Sequence, residues 1–124
     1  MIPRVHKTEK EDRIMIHKNI SIKAEGSLKD SHLTTYILDS YEELEPNLKR
    51  PLVLICPGGA YRFTADREAE MIALHLNSAG YHAAVLRYSC APAIFPTALL
   101  EVAESIKLLK EKAEEWHIDT EKVF

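Results

Sequence analysis

The stretch Pro51-Leu52-Val53-Leu54-Ile55-Cys56-Pro57-Gly58-Gly59-Ala60-Tyr61 decides how this chain folds. Residues 52–56 are apolar without alternation. That pattern fits a strand covered on both faces, as in a parallel sheet with helices on each side. Pro57-Gly58-Gly59 then reads as a turn. Two adjacent glycines let the backbone bend sharply and leave amide groups facing an open site. Amides held in this way can stabilise the oxyanion formed when a carbonyl is attacked. Glycine at a strand-to-helix turn also has a purely steric reading, so the dipeptide alone does not fix a function.

Working outward, Ala69, Ile72, Ala73 and Leu76 repeat at i, i+3, i+4 and i+7 and predict a helix over about 66–79. Gly80 sits where a left-handed residue would end it. Residues 82–88 form the next strand, and a crossover through the helix makes it parallel to 52–56. A loop at Ser89–Ile94 follows, and Pro96 can open a second helix running to about 115. Leu99, Val102, Ala103, Ile106, Leu109, Ala113 and Trp116 share one face of that helix. Asp119-Thr120 reads as a turn, and Val123-Phe124 as the start of another strand. Upstream, Ile14, Ile16, Ile20 and Ile22 alternate and suit extended structure. Gly26-Ser27 reads as a turn, and 33–39 as the partner strand of an antiparallel hairpin. Residues 1–13 read as a flexible arm. The charged segment 40–50, with Glu42, Glu43 and Glu45, reads as a solvated loop.

The order of elements is α/β. It predicts a three-layer α/β/α sandwich in a single domain over 1–124, mostly parallel with an N-terminal antiparallel hairpin. The chain has 124 residues, 46% hydrophobic and 28% charged, which is a globular composition. A net charge of -3 supplies no basic footprint for nucleic acid or for a membrane surface. No apolar run reaches the roughly 20 residues that cross a bilayer. The N-terminal segment has no apolar signal core, and Cys56 and Cys90 make no disulfide framework. The expectation is a cytoplasmic, reduced protein without metal or cofactor.

Residues 87–98, Arg-Tyr-Ser-Cys-Ala-Pro-Ala-Ile-Phe-Pro-Thr-Ala, add a second motif. Together with Pro57-Gly58-Gly59-Ala60, the chain resembles the α/β-hydrolase esterase/lipase family, in its hormone-sensitive-lipase-like and acetyl-esterase-like branches. That family carries His-Gly-Gly-Gly after its third strand and a Tyr-Arg-Leu-Ala-Pro-Glu…Phe-Pro-Ala stretch after its fourth. Tyr88-Ser89-Cys90-Ala91-Pro92-Ala93 and Phe95-Pro96-Thr97-Ala98 correspond to the latter. The resemblance covers about residues 30–124. It implies a serine hydrolase of small acyl esters, with the amides of Gly59 and Ala60 as oxyanion donors and Gly58 shaping the turn. Tyr61 and Tyr88 are candidates to line the substrate site. The family's serine sits on a G-x-S-x-G elbow, followed by an acid and a histidine. The resemblance places all three beyond Phe124, so no catalytic residue is expected in this chain and no activity from it alone. Pro57 replaces the family's histidine, which puts the rigidity of the loop in question. Ala60 replaces its last glycine, and the donor geometry then calls for a negative φ at Ala60.

Other candidates read as structural. Ser89 has no elbow around it and no base beside it. Cys56 and Cys90 lie at strand ends and read as idle thiols. His6, His17, His32, His75, His82 and His117 lack metal-ligand spacing. Asp66 and Arg67 fit a helix start and a surface role. Two alternatives stand beside the hydrolase. A phosphate- or nucleotide-binding βα module lacks both G-x-G-x-x-G and a P-loop lysine, and Arg87-Tyr88 offers no acid for a ribose. A non-enzymatic module would self-associate as a homo-oligomer through an exposed sheet edge, expected at 52–56.

Overall fold

The computed structural model describes residues 15–40 and 48–124. The arm at 1–13, Ile14 and the three glutamates of the charged loop lie outside those residues. Ten elements follow in order. The strands are β1 (Met15–Ile16), β2 (Asn19–Ser21), β3 (His32–Leu38), β4 (Arg50–Ile55), β5 (His82–Arg87) and β6 (Ile118–Val123). A 3-10 turn at Asp66–Glu68 precedes α1 (Glu70–Ser78), and α2 (Thr97–Glu111) and α3 (Ala113–Trp116) precede β6. The sheet runs β1-β3-β5-β4-β6, with β2 also on β3. It is mixed: β4 is parallel to β5 and β6, while β3 is antiparallel to β1, β2 and β5.

β5 shows why the apolar run around it means burial on both faces. Its Ala84 and Leu86 enter one core with Ile22, Leu33, Ile37, Leu52, Leu109, Trp116 and Ile118. Ala83 and Val85 enter a second core with Tyr36, Ala69 and Ala73. Strand side chains alternate, so these cores lie on opposite faces. α1 covers one, and α2 with α3 covers the other, which makes the three layers. Gly80 ends α1 as expected, with φ at +94°. Its amide donates to Asn77 O at 2.9 Å and that of Tyr81 to Leu76 O at 3.0 Å, the paired bonds of a Schellman cap.

Four sequence expectations change. The segment 118–123 is a strand, not a turn at Asp119-Thr120. Because β6 pairs with β4, the strand at 52–56 is interior, and among the described residues β6 forms one edge of the sheet. The N-terminal half of α2 is rotated from its apolar stripe. It buries Thr97, Glu101, Ser105 and Leu109, and leaves Leu99 59% exposed. The cause is that those polar groups find partners: Thr97 Oγ1 donates to Glu25 O at 3.1 Å, and Ser105 Oγ to Glu101 O at 2.8 Å. Lastly, α1 is shorter than predicted, because Ala69 (φ -115°, ψ -100°) breaks it from the 3-10 turn. Ala69 and Ala73 are buried, whereas Ile72 is 44% exposed.

His82 is fully buried at the start of β5. Its Nδ1 accepts from the amide of Leu38 at 3.1 Å, so the proton sits on Nε2 and donates to His117 O at 3.0 Å. His117 is left-handed (φ 57°) and turns the chain from α3 into β6. The imidazole therefore ties β3 and the β6 corner to β5. Burial lowers its pKa to about 4, and the nearby Arg50 and His117 charges also oppose a proton. The unfolded chain would bind that proton near pH 6.5. Between those values the unfolded state holds more protons, so stability is full above about pH 6.5 and is lost as pH falls toward 4. The expected loss is on the order of 3 kcal/mol. Urea titrations at pH 7 and pH 4.5, with His82→Gln as the comparison, measure it. The variant should show a flatter pH profile.

Candidate active site

The glycine turn leaves the C-terminal end of β4 and is braced from several directions. The Tyr88 hydroxyl donates to Pro57 O. Burial raises the phenol above its ordinary pKa, and nearby Cys90 and Cys56 add to this, so it keeps its proton. The Gly58 amide donates to Glu68 Oε1 at 3.1 Å, and Ala65 N to Gly58 O at 2.9 Å. Arg87, at the end of β5, donates to Thr64 O at 2.8 Å and pairs with exposed Asp66 at 3.1 Å. These bonds hold the loop without a histidine at position 57. The sequence offered Tyr88 as a candidate to line the substrate site and Arg87 as a strand end; their reach across to the loop was not legible.

Gly59, Ala60 and Tyr61 have φ of 157°, 57° and 60°. The negative φ on which the donor role of Ala60 was expected to depend is thus not what the loop adopts, and that role rests on the freedom of its amide alone. Ala60 and Tyr61 form the middle of a tight turn closed by Arg62 N to Gly59 O at 3.1 Å, which requires both in the left-handed region. The amides of Gly59 and Ala60 have no acceptor among the described residues. Gly59 is sterically required, since a Cβ there would lie 2.1 Å from Phe63 O.

The two motifs meet. The Ala91 amide donates to Tyr61 O at 2.7 Å, and the Tyr61 and Tyr88 rings pack edge to face, 6.1 Å between centroids. Tyr61 is 66% exposed, and Tyr88 is half-buried with its hydroxyl engaged. Beneath them lies a buried carboxylate, Glu101, which sequence reading missed. Its Oε1 accepts from Ser89 N, and its Oε2 from the hydroxyls of Ser89 and Ser27, each at 2.6 Å. Ser89 Oγ in turn accepts from Leu28 N at 2.9 Å. Ser89 is therefore a structural strut, as its surroundings in sequence suggested. Cys90 is buried, and that burial, with Glu101 nearby, pushes its thiol up, away from the reactive thiolate. Cys56, Asp66, Arg67 and His75 are exposed. Among the described residues no helix is long and apolar enough to cross a membrane, and no three His, Cys, Asp or Glu side chains gather in a metal-binding group.

A glycine turn after a parallel strand, backed by a second loop from the neighbouring strand, within an α/β/α sandwich, defines the front of an α/β-hydrolase fold. No protein-family model matches the chain, and no curated protein does. Solved structures do. An α/β-hydrolase enzyme from a Medee basin deep-sea metagenome library is 40% identical, with a TM-score of 0.81 over 88% of this chain and 44% of its own. An acetyl ester-xyloside bifunctional hydrolase from Caldicellulosiruptor lactoaceticus is 29% identical, with a TM-score of 0.73 over 86% of this chain and 40% of its own. A carboxylesterase from Lactobacillus plantarum WCFS1 is 25% identical, with a TM-score of 0.74 over 88% and 39%. The chain has the α/β-hydrolase fold of these hydrolases and esterases. It corresponds to the N-terminal part of these structures and spans less than half their length.

Proposed function

We propose that this chain is the oxyanion-loop half of a serine carboxylic-ester hydrolase acting on small acyl esters. The observation that carries the reading is the pair of acceptor-free amides at Gly59 and Ala60, on a loop fixed by Tyr88, Glu68 and Arg87. In such an enzyme a serine attacks the ester carbonyl, and a histidine oriented by an acid moves the proton. The amides of Gly59 and Ala60 would receive the charge that builds on the carbonyl oxygen, and Tyr61, exposed beside them, would line the entry. Tyr88 serves better as a brace than as a substrate contact, because its hydroxyl is already engaged. The names of the similar structures, a carboxylesterase and an acetyl ester hydrolase among them, support the ester class.

No elbow serine occurs in the 124 residues, so the chain by itself should be inert toward esters. The test is covalent labelling by a fluorophosphonate, read by intact mass. The expected result is no adduct on the 124-residue chain. A single adduct should appear when it is joined to the remaining part of the 40%-identical metagenome hydrolase. An adduct on the isolated chain, blocked by a short ester, would refute the reading.

A further inference from the structure

One segment grips the glycine turn at both ends. Before the glycines, the Tyr88 hydroxyl donates to Pro57 O. After them, the Ala91 amide donates to Tyr61 O at 2.7 Å. Gly58, Gly59 and Ala60 lie between those two points. The segment 88–91 follows β5 and belongs to no strand or helix, so no ladder of backbone bonds fixes it. It is held instead at its middle. Ser89, which is buried, gives both its amide and its hydroxyl to the Glu101 carboxylate, each at 2.6 Å. Glu101 stands on α2, and the connection between β2 and β3 closes on the same pair. Ser27 Oγ donates to Glu101 Oε2 at 2.6 Å, and Leu28 N to Ser89 Oγ at 2.9 Å.

Burying a carboxylate costs free energy that an apolar residue packing α2 in this place would not. What the carboxylate adds is direction. Two bonds to one residue fix both where the segment lies and how it is rotated about its own axis. The rotation matters, because Tyr88 and Ala91 reach the glycine turn from either side of Ser89. We propose that Glu101 is a positioning residue for the oxyanion turn. Through Ser89 it sets Tyr88 and Ala91, and through them the amides of Gly59 and Ala60. Glu101 is fully buried, so it acts without touching substrate. The inference takes the role of the two amides from the hydrolase reading above and adds the residue that aims them. Misplacing a reacting group by about 1 Å costs on the order of 10²-fold in rate, so a buried brace of this kind is felt in the chemistry.

The first readout is the set of backbone amide chemical shifts of the 124-residue chain, by NMR. In Glu101→Ala the Ala91 amide should move upfield, as a lost hydrogen bond requires, and the Gly59, Ala60 and Arg62 amides should move with it. Val85, inside β5, should stay in place. Glu101→Gln should restore the wild-type shifts, since its oxygen can still receive the Ser89 amide. Ser89→Ala, which keeps the amide and loses the hydroxyl, should move the same resonances in the same direction, and decides the matter if Glu101→Ala does not fold. Folded alanine variants with Ala91, Gly59 and Ala60 unmoved overturn the proposal, as does glutamine moving them as far as alanine. The second readout is kinetic, in the chain joined to the remaining part of the metagenome hydrolase. Relative to Glu101→Gln, Glu101→Ala should lower kcat by roughly 10- to 100-fold and change KM by no more than about twofold. A joined wild-type protein that never labels with fluorophosphonate sinks the hydrolase reading, and the shifts still decide the positioning role. Labelling with unmoved shifts sinks the positioning role and leaves the hydrolase reading standing.

Discussion

Replacing Glu101 by alanine should cost about 3–5 kcal/mol, a large share of the roughly 5–15 kcal/mol that holds a domain together. The carboxylate is fully buried and accepts three short bonds, from Ser89 N, Ser89 Oγ and Ser27 Oγ. Bonds to a charged acceptor contribute more than neutral ones, and a buried donor left without a partner carries a desolvation penalty of about 1–3 kcal/mol. Alanine strands the Ser89 amide and leaves a void under the 89–96 loop. Glutamine should cost far less, about 1–2 kcal/mol. Its oxygen can still receive the Ser89 amide, and its nitrogen can donate to the two hydroxyls. Urea denaturation of the two variants, at equal m-value, measures the difference. If alanine and glutamine cost the same small amount, the network is not what anchors α2.

Gly59→Ala has the larger expected effect on chemistry. The added methyl would sit 2.1 Å from the Phe63 carbonyl oxygen, which is backbone and cannot swing aside. The loop must therefore move, and its amides with it. In the chain joined to the remainder of a hydrolase domain, kcat should fall by about 10²–10³, the usual cost of losing one oxyanion donor. KM should change much less, since those bonds strengthen as the transition state forms. Gly58→Ala is the internal comparison. Its methyl would meet only the Glu68 carboxylate, at 3.3 Å, so that side chain need give by only a few tenths of an ångström. A Gly59→Ala enzyme with unchanged kcat would mean that these amides do not hold the oxyanion.

Much of the architecture was legible because it depends on local pattern. The unbroken apolar run at 52–56 announced a parallel strand inside the sheet, although only its Leu52 is fully buried, and Gly80 announced a helix end. The glycine turn and the Tyr88–Ala98 stretch announced two loops at one end of a sheet, and the bond from Ala91 to Tyr61 joins them. What stayed hidden depends on partners far apart in the chain. Glu101 is an ordinary helical glutamate in sequence, and nothing near it says that Ser27, 74 residues away, will share its carboxylate. The same distant partners turned α2 off its apolar stripe. His82 looked like one more unassigned histidine, because its two acceptor and donor partners come from β3 and the β6 corner. The left-handed backbone of Ala60 and Tyr61 has no sequence signal, since neither residue favours it.

The sheet order also sets a timetable for synthesis. β3 is complete once Leu38 has emerged, but the strand that fills its other edge ends at Arg87, about fifty residues later, roughly 3–10 s at ordinary ribosomal speeds. β4 waits in turn for β5 on one side and for β6 on the other. During that interval the nascent chain carries apolar, unfilled strand edges, and a chaperone at the exit would have its longest engagement with the hairpin and β4.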